Sequence, residues 1–111
     1  MPKQFRKAFC PNPAPRFDAE PLRKICEHIV YVCDTPIFDD LAGPENKHRF
    51  ESRVEEAMNE FDPEKDLLVF FGDAIIFAMM IWYVSMELEA DNVSIARFSV
   101  KSDEYVIRKL V

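Results

Sequence analysis

The chain predicts an α/β fold: one domain of order β-α-β-α-β-β, with a mostly parallel three-to-four-stranded sheet and a C-terminal antiparallel hairpin. Three observations carry this. Residues 67–71 form a short apolar run that ends in Gly72-Asp73 and leads into a long apolar segment. Before it, Phe50, Val54, Ala57, Met58 and Phe61 recur at three- and four-residue spacing. After it, two alternating runs are separated by Lys101-Ser102-Asp103-Glu104, a hairpin-sized link. Strands alternating with helices imply parallel pairing through right-handed crossovers.

At 111 residues, about half of them apolar and ten of them Phe, the chain buries one core without staples. Residues 1–24 read as a basic, Pro-rich arm and residues 25–111 as the α/β domain. In the arm, Pro2, Pro11, Pro13 and Pro15 oppose regular structure over residues 1–17, while Phe5, Phe9 and Phe17 offer packing points. Residues 18–24 suit a short helix-like turn.

The first strand falls on residues 28–33, HIVYVC, whose β-branched and aromatic character suits a strand covered on both faces. Asp34-Thr35-Pro36 ends it, and a loop carries Asp39, Asp40 and Gly43. Pro44 suits the first turn of a helix, along which Glu51, Arg53, Glu55, Glu56 and Glu60 face water. Gly72 then permits a tight turn and Asp73 caps the next helix. That helix, residues 74–88, is apolar nearly all round and needs cover on more than one side. At about 20 Å its apolar stretch is too short for a bilayer core of about 30 Å, so a buried helix is expected and no membrane span.

Charge is unevenly placed. Residues 1–24 hold six basic and two acidic side chains, and residues 25–111 hold eight basic and eighteen acidic ones, for a net charge of −6. An acidic body disfavours nucleic-acid binding, which needs Lys and Arg at phosphates. The basic arm lies across its own acidic body or, as the lesser reading, touches nucleic acid. Arg97, Phe98, Tyr105 and Arg108 mix basic and aromatic groups that can stack on single-stranded bases, but the same mixture marks an ordinary half-exposed edge. Cys10, Cys26 and Cys33 are odd in number and lack CxxC spacing, and no apolar leader precedes them. Reduced thiols in a cytoplasm are expected.

Ligands of open α/β sheets collect at the carboxyl ends of parallel strands. Asp34, Thr35, Gly72 and Asp73 fall there and form the candidate ligand-binding set. Clustered Asp34, Asp39, Asp40 and Asp73 could hold Mg²⁺, yet strand ends, caps and a solvated loop explain them as well. The turn before residue 74 offers N–H groups to an anion, but Asp73 competes for them, and neither GxGxxG nor GxxxxGK[ST] occurs. Cys33 sits where a nucleophile could, with His28 and His48 as possible bases. But His28 falls at the other strand end and His48 on an exposed helical turn, and a small core residue is the plainer reading. Cys26-Glu27-His28 lacks a second zinc half-site. No catalytic residue, metal ligand or cofactor is assigned.

The apolar helix carries the stronger signal. Either it is a central helix covered by the sheet, the first helix and the arm, or it leaves one stripe for a partner to cover. Met79, Trp82, Tyr83 and Met86 are the candidate interaction surface, because Met and aromatic side chains suit adaptable contacts.

The unit LLVFFGDAIIFAMM followed by SIARFSVKSDEY resembles a class of small phage-encoded α/β proteins of unassigned function, over roughly residues 25–111. Gly72-Asp73-Ala74 stands where related sequences often have Gly-Asp-Pro, and Phe98-Ser99-Val100 where they have Trp-Asp-Arg. The resemblance implies an accessory viral protein acting in a host cytoplasm and supplies no catalytic residues. The expected function is protein binding: a small module that self-associates, for instance as a homodimer, or docks on a larger protein. The alternative is a small nucleotide- or metal-binding enzyme using Asp34 and Asp73.

Overall fold

A computed structural model describes residues 3–13, 18–33, 44–88 and 92–110, with backbone only at 44–50 and 110. Its elements run β1 (Phe5–Cys10), α1 (Glu20–Arg23), β2 (Cys26–Tyr31), α2 (Pro44–Met58), β3 (Leu67–Phe70), α3 (Ala74–Met86), β4 (Val93–Ser99) and β5 (Glu104–Leu110). They build one five-stranded sheet of order β2-β1-β3-β4-β5. All pairs are parallel except β4–β5, which is the expected antiparallel hairpin.

The fold class is therefore as the sequence predicts, with one strand more. Residues 5–10 are a central strand rather than part of an extended arm: β1 pairs with β2 through Phe9↔Val30 and with β3 through Phe9↔Leu68. The prolines act only beyond it. Pro11 and Pro13 come after Cys10, so every residue of β1 keeps its N–H for the ladder. With β1 inside, β2 becomes an edge strand, and its Glu27 and His28 are exposed rather than covered on both faces.

The two sheet faces have separate cores. One gathers Phe9, Leu68 and Val93 from the sheet with Val54 and Met58 of α2 and Ile76, Met80 and Val84 of α3. The other joins Ala8, Cys10, Leu67, Val69 and Ala96 to Leu22 of α1. Hence α2 and α3 share a face and α1 lies on the opposite one. β1 and β3 are neighbours whose succeeding helices leave toward opposite faces, and this places the topological switch point at their carboxyl ends.

α2 buries the stripe its spacing predicts: Val54, Met58 and, just beyond, Phe61 are buried, while Glu51, Glu55, Glu56 and Glu60 are exposed. α3 departs from expectation. Only Ile76, Met80 and Val84 are buried, one residue per turn, whereas Ile75, Trp82 and Met86 are exposed. A helix this apolar carries no period that marks its outer face, and two layers cover it on one side only.

Candidate functional site

Two places are marked by the sequence, the strand ends and α3. At the first, Asp34 and Thr35 (with Asp39 and Asp40) lie outside the described residues. Gly72 and Asp73 sit at the end of β3, where Gly72 takes φ +76°. The Asp73 carboxylate caps α3 by accepting from the N–H groups of Ile75 at 2.8 Å and Ile76 at 3.1 Å. Those are the donors that an anion at this helix start would need.

The space beside the turn is filled by Asn12, a residue that no sequence motif marks. The residue is 2 % exposed, and its Oδ1 accepts from the Asp73 N–H at 2.9 Å. A Cβ on Gly72 would fall inside contact distance of that same Oδ1. The switch point is thus packed by protein atoms: Asn12 from the end of β1 locks the turn at the end of β3. Only recognition of β1 as a strand would have brought Asn12 to this place.

The thiols are structural in their surroundings. Cys10, Cys26 and Cys33 are all buried. Burial pushes the Cys10 thiol well above its usual range, and burial opposed by Lys3 pushes Cys26 up to about 12. Held neutral and out of solvent, Cys10 and Cys26 are poor nucleophiles. Among the described residues, no three His, Cys, Asp or Glu side chains are placed to share a metal ion, and no helix is long and apolar enough to cross a membrane. On the hairpin, Phe98 and Tyr105 face each other in register and meet edge to face at 5.4 Å.

The second place is a groove of about 480 Å³ between α2 and α3. Val54, Met79, Trp82 and Tyr83 form its apolar lining, and Glu51, Glu55 and Glu87 supply carboxylates. Among the described residues, no cation lines it. Burial, then the Glu55 and Glu87 carboxylates, raises the Tyr83 phenol above its ordinary range, which fits a negative local potential. Three of the four residues expected from sequence, Met79, Trp82 and Tyr83, line this groove, and Met86 extends the surface one turn beyond Trp82.

Three exposed positions and the half-buried Met79 between them obey helical spacing. Ile75, Met79, Trp82 and Met86 stand at intervals of four, three and four residues, so they share one side of α3. Trp82 is 57 % exposed and Met86 62 %. At the start of the helix, Phe70, also exposed, packs edge to face on Phe77 at 5.0 Å. The acidic rim escapes a reading of the sequence because glutamates on the outer face of an amphipathic helix look like ordinary solvation, and their convergence on α3 is a tertiary fact.

No family model, curated protein or solved structure matches the chain.

Proposed function

We propose that the protein is a binding module that docks on another protein through the outer side of α3 and the groove beside α2. The observation that carries this reading is the stripe Ile75, Trp82 and Met86, exposed with the half-buried Met79 between them on a helix whose other side, Ile76, Met80 and Val84, supplies the core. Scattered exposed apolar residues are ordinary. Here they are aligned over three turns, include the chain's single Trp, and border a groove with a charged edge, as interface cores do. The alternative, an enzyme or nucleotide or metal binder using Asp34 and Asp73, draws less support, because the Asp73 carboxylate already occupies the helix-start donors and Asn12 fills the adjoining space.

The test compares capture by wild type and by a Trp82→Glu/Met86→Glu variant from the same lysate. The expected result is a stoichiometric protein retained by wild type and lost by the variant, with both melting alike. Equal recovery by a folded variant would contradict the reading.

A further inference from the structure

We infer that the occupant of the α2/α3 groove is a basic amphipathic helix belonging to a partner protein. The inference rests on the protein-binding reading and adds the chemistry of what is bound. Charge comes first. Glu51, Glu55 and Glu87 border an apolar floor of Val54, Met79 and Trp82, with no cation among the described lining residues to neutralise them. An apolar ligand edged with Lys or Arg is attracted there, and one edged with carboxylates is repelled.

The same charges argue against a second copy. A two-fold contact across this groove would set three carboxylates against the same three, in the isologous manner of most dimers. A head-to-tail contact would need a basic apolar surface elsewhere on the chain. Among the described surfaces the β4–β5 hairpin comes nearest, with Phe98 and Val100 exposed beside Arg97, Lys101, Arg108 and Lys109 against Asp103 and Glu104. A copy seated this way would shield Trp82 in a manner lost on dilution, and that result would overturn the partner helix.

The walls exclude strand addition. Both sides of the groove are helices whose backbone groups bond internally, so no strand edge is available for an extended peptide to join. Affinity must come from side chains alone. An amphipathic helix delivers them at the spacing that Ile75, Met79, Trp82 and Met86 themselves show, along about 16 Å.

Trp82 is the chain's only Trp, so its fluorescence reports directly on the groove. The probe is a synthetic Leu/Lys peptide of about fourteen residues, patterned as an amphipathic helix and free of aromatic residues. Three controls accompany it: the same pattern with Glu for Lys, a scramble of equal composition without one apolar face, and anionic lipid vesicles. The expected result is a saturable blue shift with the patterned Leu/Lys peptide, weakened by salt. Glu51→Gln and Glu55→Gln should each weaken it roughly two- to fivefold, whereas Glu104→Gln on the hairpin leaves it unchanged.

Equal binding of the Leu/Glu peptide would overturn the basic requirement, and equal binding of the scramble would overturn the helical one. A response to vesicles but not to peptide would replace the partner with a membrane. No response at all would also overturn the inference. If the Trp82→Glu/Met86→Glu variant still loses a captured protein in that case, the binding reading stands and only this occupant is excluded.

Discussion

Arg6 and Asp66 are joined at two points, Nε to Oδ1 at 3.1 Å and Nη2 to Oδ2 at 2.8 Å. The Asp66 side chain is wholly buried, and it also accepts from the backbone N–H groups of Lys7 at 3.2 Å and Asp62 at 2.8 Å. One carboxylate therefore ties β1 to the turn that starts β3. Arg6 is thus part of the sheet's construction, and Phe5 and Ala8, which flank the Arg6-Lys7 pair, are core.

Replacing Asp66 by Ala strands two backbone donors as well as a guanidinium, and should cost about 3 kcal/mol. Arg6→Gln should cost less, since water can replace Arg6 at a partly exposed position. Urea unfolding of the two variants checks the order. Equal losses would show that the Arg6 contact, rather than the backbone acceptors, dominates.

Gly72 and Asn12 should be energetically coupled. Gly72→Ala places a side chain at φ +76° and against Asn12 Oδ1, and should destabilise by about 2 kcal/mol or more. In an Asn12→Ala background the contact is gone, so the added cost of Gly72→Ala should shrink toward the backbone component alone. A double-mutant cycle measures this. Strict additivity would remove Asn12 from its assigned place.

Much of this is legible in the chain. The unit from Leu67 to Met86 can be read because its signals agree: an apolar run, a Gly for the turn, an Asp for the cap, then helix. β1 is hidden because Arg6 and Lys7 interrupt its apolar pattern and three prolines crowd residues 11–15. The charges are tolerated because Arg6 reaches Asp66 and Lys7 reaches Glu60 at 3.9 Å, partners sixty and fifty-three residues away that no local pattern contains. Without β1, Asn12 has no role and β2 reads as an inner strand. α3 poses the reverse problem, since too many apolar residues leave its outward side unmarked.

The Cys26 thiol makes stability fall in alkaline solution. Its pKa rises from an ordinary 9.0 to about 12 on folding, so below pH 9 both states keep the proton. Between about 9 and about 12 the unfolded chain releases it while the folded chain does not, and stability declines; above that range the effect levels off. Cys26→Ala should reduce the slope between about pH 9 and about 11 without abolishing it, because the buried Cys10 thiol acts in the same direction, measured by denaturant midpoints against wild type. An unchanged slope would contradict the assignment.

The two sides of α3 should respond unequally to truncation. Met80→Ala opens space in the core shared with Ile76 and Val84 and should cost about 2–5 kcal/mol. Trp82→Ser, on the exposed side, should cost less, no more than about 1–2 kcal/mol, since more than half of the residue is already in water. Thermal melts of both variants check the contrast, and a large loss at Trp82 would place that residue in the core.

The most direct test of the central claim, that α3 holds an apolar stripe open to a partner, is acrylamide quenching of Trp82 in the purified protein across a range of concentrations. The account predicts emission of a solvent-exposed indole, readily quenched and unchanged on dilution. Blue-shifted, shielded emission at every concentration would mean that Trp82 is core, and shielding that disappears on dilution would mean that a second copy already covers the stripe. Either result would contradict the account.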